Sequence, residues 1–302
     1  MNDNECKLAM LKFTELCYSV VGCRCAPSQK AQLVELVRFN VQGAITLAIG
    51  DGANDVAMIQ AAHCGVGISG QEGLQAANSA DFSIAQFRFL VEMLIIHGRN
   101  NYRRMSTMVM YIFYKNMVLT LATFFYAIYS AWSAQKFYLE AVSTFFNVIW
   151  TFIPIIITTI FDKDVEDETA RKLPQIYHLG VRGAYYNIWV TARWFSDAVL
   201  ESLIILLLLV YSLENVDPPE GSDPSVFYLG GVAFTMVLLV VGGKLFLWQW
   251  QVTFYQTITV VFFTVIWLPL AYVSSSEDWI TGSFAGFSTY AYFWGWTGLW
   301  PN

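Results

Sequence analysis

The stretch "ITLAIGDGANDVAMIQAAHCGVGISG" (Ile45–Gly70) carries the signature on which the fold class turns. It opens apolar on both faces, as a buried parallel strand does. A polar turn at Gly50–Gly52 follows, then "ANDVAMIQAAH" with helical period, then "CGVGIS" as another short strand. Strand, helix and strand at this spacing are a crossover of a parallel sheet. Neighbouring segments extend the pattern in both directions. Upstream, valine-rich "CYSVVGCRC" (17–25) predicts a further strand. Between them "PSQKAQLVELVRF" (27–39) predicts a helix with Pro27 in its first turn and Ala31, Val34 and Val37 on one face. Downstream, "QEGLQAANSA" (71–80) predicts a helix and "DFSIA" (81–85) a strand.

The turn after the strand at 43–50 carries Asp51, directly at the strand's end, and Asp55, one turn into the next helix. Ligands of open parallel sheets sit at the carboxyl ends of strands. Two carboxylates four residues apart, on a turn freed by Gly50 and Gly52, face one point. Mg²⁺ takes oxygen ligands and is held by one or two carboxylates plus phosphate oxygens. Asn54 is placed to donate to a phosphoryl oxygen. The competing reading is helix capping, which Asp and Asn also favour.

Composition divides the chain. It has 302 residues, of which 56% are hydrophobic and only 13% charged, against about 25% charged in soluble domains. The deficit lies almost wholly beyond residue 100 or so. The net charge of -6 therefore says little about nucleic acid, but no basic groove is visible in the sequence and no nucleic-acid partner is expected. All five cysteines, Cys6, Cys17, Cys23, Cys25 and Cys64, fall in the first segment. Cys23 and Cys25 lack a second ligand pair at zinc spacing, so buried, reduced thiols in a cytosolic domain are expected. The start "MNDNECKLAM" has no signal-peptide pattern. His63, His97 and His178 show no ligand spacing and are expected to be structural.

The expected fold is therefore α/β with a parallel sheet over 1–98, followed by an all-α stalk and transmembrane domain over 99–302. Spans are expected at about 105–131, 139–160, 185–212, 226–248 and 252–273, with an incomplete segment at 284–302. With the first segment cytosolic, Lys163, Arg171, Lys172, Arg182 and Lys244 fall in cytosolic connections and only Lys136 outside, which follows the positive-inside rule. Lys115, in "MYIFYKNMVLT", costs about 2.5 to 3.5 kcal/mol in a membrane and must face protein or a wet cavity. Snorkelling is the alternative, but Arg104 is already about 16 Å away along a helix. Asn147, Thr151 and Pro154 add polar groups and a kink to the second span. Arg193, Asp197 and Glu201, at i, i+4 spacing, predict an intrahelical ion-pair ladder.

The run "TLAIGDGANDVAMIQAAHCGVGISGQEGLQAANSADFSIAQFRFL" (46–90) resembles the phosphorylation-domain hinge of P-type ATPases, specifically their phospholipid-transporting (flippase) branch. The likeness continues in "CRCAPSQKAQ" (23–32), "HGRNNYRRMSTMVMYIFYKN" (97–116), "FNVIWTFIPIIITTIFDKDVEDE" (146–168) and "LPQIYHLG" (173–180). The resemblance implies a partial haloacid-dehalogenase-like fold and transfer of the γ-phosphoryl of ATP to an aspartate, with Mg²⁺ bridging. It implies Asp51 and Asp55 as magnesium ligands, Asn54 and Asp55 as phosphate contacts, and Arg24 and Lys30 as basic residues near the nucleotide phosphates. It implies Lys115 and Asn116 in phospholipid transport, and it admits a non-catalytic partner subunit. The family's nucleophilic Asp-Lys-Thr-Gly motif does not occur in this sequence. The expectation is thus the C-terminal part of a flippase, catalytically incomplete alone. The alternative is a truncated, non-catalytic membrane protein that associates with or regulates a complete P-type ATPase. Cation pumping is disfavoured, because Glu140 is the only acidic residue between Met105 and Phe161.

Overall fold

The computed structural model describes residues 4–69, 74–133, 135–138, 140–215 and 226–267. The chain divides into two compact units, Met1–Ile96 and His97–Asn302.

In the first unit, α1 (Asn4–Glu15) and α2 (Pro27–Asn40) precede the sheet. Pro27 stands in the first turn of α2, where its missing N–H costs nothing. Gln29 Oε1 accepts the Ala26 N–H at 2.9 Å and closes the helix start. Three strands follow, β1 (Leu47–Gly50), β2 (Cys64–Ile68) and β3 (Phe82–Ile84), with α3 (Val56–Ala61) and α4 (Gln75–Ser79) in the crossovers. All pairings are parallel, in the order β1-β2-β3, with Leu47 opposite Cys64 and Val66 opposite Phe82. β2 is the central strand and its Val66 is fully buried. Gly67 is required by a close approach, since a Cβ there would lie 2.5 Å from the Ala77 Cα of α4.

The strand expected over 17–25 is absent. That segment is irregular, and Val20 and Val21 are 58% and 83% exposed. Valine content favours a strand only when a neighbouring edge supplies backbone partners and a surface to cover; among the described residues none does so here. His63 fills the structural role expected of it, its Nδ1 meeting the Thr46 hydroxyl at 3.0 Å. All five cysteines are free thiols, but the expected burial is corrected: Cys6, Cys17 and Cys23 are exposed and Cys25 and Cys64 half-buried.

The second unit is helical. α5 (Arg99–Tyr129) runs 31 residues. Next come α6 (Glu140–Phe145), a π-helical turn at Phe146–Trp150, and α7 (Phe152–Phe161). Short α8 (Asp167–Lys172) and α9 (Tyr177–Val181) lead to α10 (Ile188–Asn215), α11 (Val226–Trp248) and α12 (Phe254–Val265). Among the described residues four apolar helices, at Phe87–Tyr129, Ser143–Phe161, Ile188–Tyr211 and Leu229–Trp248, are long enough to cross a membrane, and Phe254–Val265 is a shorter one. The end of the stretch expected at 252–273, and the whole of 284–302, lie outside the described residues. The expected fold class, a partial parallel α/β domain followed by transmembrane helices, is the one observed.

An aromatic core binds these helices. Trp267 packs edge-on against Trp150 and Phe234, with ring centroids 5.2 and 4.9 Å away. Tyr114 does the same against Trp194 at 5.5 Å. Such pairs contribute about 0.5–1.5 kcal/mol beyond their area. Apolar Ile204, Leu207 and Leu208 of α10 instead face outward. In water that surface would be a liability, and in lipid it is the ordinary exterior.

Two charge expectations are corrected. Lys244 does not sit in a connection but inside α11. Asp197 and Glu201 form no ladder with Arg193, which is exposed. They pair instead with Lys244 of α11, at 2.8 and 2.9 Å. An i, i+4 pair on a helix surface yields only about 0.3–0.5 kcal/mol, whereas the interhelical partner neutralises both carboxylates where water is scarce.

Candidate functional site

The first site is built on the end of β1. Gly50 closes the strand and Asp51 follows, exposed. A 3-10 turn at Ala53–Asp55, started by the Asp55 N–H bonding the Gly52 carbonyl at 3.1 Å, swings Asp55 back over the strand end. A Cβ at residue 50 would stand 2.3 Å from the Asp55 Cβ, so glycine is required there. Asp55 is 7% exposed. Its Oδ1 receives Lys30 Nζ of α2 at 2.7 Å, a partner 25 positions away in sequence. That hydrogen bond holds the Lys30 ammonium above its ordinary pKa against the opposing effect of burial, and the charges of Asp55 and Asp51 add to it.

Lys30, Asp51 and Asp55 are therefore gathered in one place. Asn54 and Arg24 are exposed and make no hydrogen bond among the described residues. Arg24 is held at a positive φ of 55°, a conformation uncommon for non-glycine residues. The donor set fits Mg²⁺ as a cation shared with substrate: one free carboxylate, one anchored carboxylate, and an open side for water and phosphate. No group of three or more His, Cys, Asp or Glu forms a closed metal cage among the described residues.

The second site surrounds Lys115 on α5. The side chain is 3% exposed and its ammonium donates to Thr151 Oγ1 at 2.5 Å. The Phe146 ring lies 5.8 Å from the nitrogen. Among the described residues no carboxylate pairs with Lys115. Asn116 Nδ2 bonds the Ile112 carbonyl of its own helix at 2.9 Å and so does not join Lys115. One position earlier on α5, Tyr114 donates to Glu201, which shares Lys244 with Asp197.

A third cluster lies at the base of α5. Arg99 grips Asp164 with two hydrogen bonds of 3.0 and 2.6 Å. Arg103 bonds Asp162 at 2.9 Å, and Asp162 Oδ1 also accepts the N–H groups of Trp250 and Gln251 at 2.9 and 3.2 Å. Asp162 and Asp164 fall in the run 146–168 that resembles the family, and no separate role is expected of them from the sequence. Their signal was visible: acidic residues directly after an apolar helix, in a chain with three arginines at the start of another.

The architecture is that of a small parallel α/β unit followed by helices long and apolar enough to cross a membrane. The family profile "Phospholipid-translocating P-type ATPase C-terminal" matches residues 77–300. The chain is 40% identical over 243 residues to "Probable phospholipid-transporting ATPase IM" of Homo sapiens, covering 79% of this chain and 20% of that protein. It is 36% identical over 261 residues to "Phospholipid-transporting ATPase DRS2" of Saccharomyces cerevisiae, covering 86% of this chain and 19% of that protein. With "Phospholipid-transporting ATPase 10" of Arabidopsis thaliana, identity is 36% over 276 residues, covering 89% and 22%. The chain belongs to the phospholipid-translocating P-type ATPases, as their C-terminal part, and is an integral membrane protein. It spans about a fifth of the length of the curated relatives it matches.

Proposed function

We propose that these residues serve ATP-driven phospholipid translocation, supplying the magnesium hinge, the stalk and the lipid-handling helices of a flippase. The observation that carries the reading is the Lys30–Asp55 pair at 2.7 Å beside accessible Asp51, at the carboxyl end of a parallel strand. Asp51 and Asp55 would hold Mg²⁺, which when bound would offset charge developing on the transferred phosphoryl oxygens. Lys30 fixes the Asp55 carboxylate and adds a positive charge on the same side. Asn54 and Arg24, both free, are the groups left to meet phosphoryl and nucleotide phosphate oxygens. The nucleophilic aspartate belongs to sequence other than these 302 residues.

In this reading 1–98 is the cytoplasmic hinge portion and 99–302 the stalk and membrane domain. Lys115, buried without a carboxylate, meets the headgroup anion, and Asn116 supports transport from the next position. A non-catalytic subunit remains compatible as a partner.

The test is made on the complete polypeptide that carries these residues. Asp51→Ala abolishes Mg²⁺-dependent turnover of the phosphoenzyme, followed with radiolabelled ATP, and unchanged turnover removes the metal assignment. Lys115→Ala lowers lipid-stimulated turnover, and unchanged stimulation removes the transport assignment. A polypeptide that accepts no label at all, yet alters the activity of a complete P-type ATPase, is instead the regulatory protein of the alternative reading.

A further inference from the structure

Lys115 is donor-only, with three N–H bonds to place. Thr151 Oγ1 takes one of them at 2.5 Å, and the Thr151 hydroxyl proton is committed elsewhere, to the Phe146 carbonyl at 2.8 Å. The polarity of this relay is fixed, because an ammonium cannot accept and a carbonyl cannot donate. All three groups are buried. The relay depends on a local break in the second membrane helix. Pro154 lacks an N–H, so the Trp150 carbonyl loses its ordinary helical partner. The chain widens into the π-helical turn Phe146–Trp150. Thr151, at φ -122° and ψ -12°, then reaches back five residues rather than the usual four to bond a carbonyl.

We propose that Thr151 is a positioning residue for Lys115: its hydroxyl, locked as an acceptor by the Phe146 carbonyl, holds one N–H of the ammonium and leaves the other two for an anionic phosphate oxygen of a phospholipid headgroup. The inference rests on the reading of Lys115 as the headgroup contact. A hydroxyl free to rotate would turn its lone pairs with it and hold the ammonium in no fixed direction. Locked, it orients the cation and offers the ligand nothing. The remaining N–H bonds of the ammonium favour an anionic oxygen through charge-assisted hydrogen bonds, which a phosphodiester provides and a neutral hydroxyl of diacylglycerol does not.

The experiment uses the complete polypeptide in detergent and measures ATP hydrolysis against added lipid. The probes are dioleoyl phosphatidylserine, dioleoyl phosphatidylcholine, dioleoylglycerol as the phosphate-free lipid, and glycerophosphate as the soluble phosphate. Thr151→Val keeps the shape and removes the hydroxyl. It raises the half-saturating concentration of the activating phospholipid about tenfold, the scale expected for losing a hydrogen bond to a charged group, with a smaller change in maximal rate. Thr151→Ser restores the wild-type value to within about twofold. Should the valine variant fail to fold, Thr151→Ala gives the same comparison with serine. Thr159→Val is the control, since that hydroxyl bonds only the Ile155 carbonyl of its own helix, at 2.7 Å.

Loss of lipid response in Lys115→Met, with Thr151→Val and Thr151→Ala both matching wild type, overturns the inference and leaves the role of Lys115 standing. Serine as impaired as valine also overturns it, because the methyl group would then be what matters. An undiminished response in Lys115→Met defeats the lipid reading of Lys115 first, and the inference falls with it. Stimulation by dioleoylglycerol or by glycerophosphate overturns the phospholipid assignment.

Discussion

Asp55 shows how much one side chain depends on a neighbour that has none. The carboxylate lies over residue 50 and reaches Lys30 only because Gly50 leaves room. Gly50→Ala would force the two Cβ atoms to 2.3 Å, so the turn must shift. Overpacking of this kind costs about 1–3 kcal/mol. The expected result is a lower unfolding midpoint by thermal denaturation in detergent, accompanied by loss of Mg²⁺-dependent activity. Wild-type values for both would show the turn to be looser than described. The paired aspartates and their glycines were legible in the sequence, because a strand-end turn is a local device. That Lys30 takes Asp55, while Arg24 and Asn54 stay free, was not legible, since α2 must first fold against the strand end.

Among elements, α10 and α11 carry the clearest lesson. The i, i+4 spacing of Arg193, Asp197 and Glu201 marks one face of α10, but the cation for that face comes from Lys244, 43 to 47 positions later. Helical periodicity reports which residues share a face and says nothing of what lies opposite. Lys244→Met leaves the two carboxylates without their cation. Removing one partner of a buried pair costs about 3–5 kcal/mol. Lys244 is itself well covered, but Asp197 and Glu201 are each more than a quarter accessible, so a loss of about 1–3 kcal/mol is expected. Lys172→Ala, whose partner Glu168 is 4.0 Å away with both side chains about four-fifths exposed, changes stability by under about 0.5 kcal/mol. Reversible unfolding of the two variants in mixed micelles makes the comparison, and equal losses would contradict it.

At the scale of the helical unit, the base of α5 is tied to distant chain by Asp162 and Asp164. Asp162 joins Arg103 to the backbone of Trp250 and Gln251, 88 and 89 residues further on. Asp164 lies in the connection after α7, outside the spans. Burial alone would raise its pKa, but the Arg99 hydrogen bonds and the charges of Arg103 and Arg99 outweigh burial and hold it below its ordinary 3.8. The folded form therefore releases this proton more readily than the unfolded chain does. Its contribution is present above the ordinary carboxylate value and is lost as pH falls through the depressed one. Thermal stability in detergent should drop progressively below about pH 4, and Asp164→Asn should be less stable at pH 6 with a flatter acid limb. An acid limb unchanged in that variant would assign the loss to other carboxylates.

Fold class, membrane crossing and the acidic hinge were set by local pattern: alternating strand and helix periods, long apolar runs, and two aspartates at a Gly-rich turn. These follow from covalent geometry and hydrophobicity, which act between near neighbours. The valine-rich segment 17–25 misled for the complementary reason, since strand character depends on an edge to pair with. Partner choice was settled by folding alone: Lys30 with Asp55, Lys115 with Thr151, Lys244 with Asp197 and Glu201, and the arginines of α5 with Asp162 and Asp164. A buried charge must find compensation wherever packing delivers it, and packing joins residues whose distance along the chain carries no trace of their meeting.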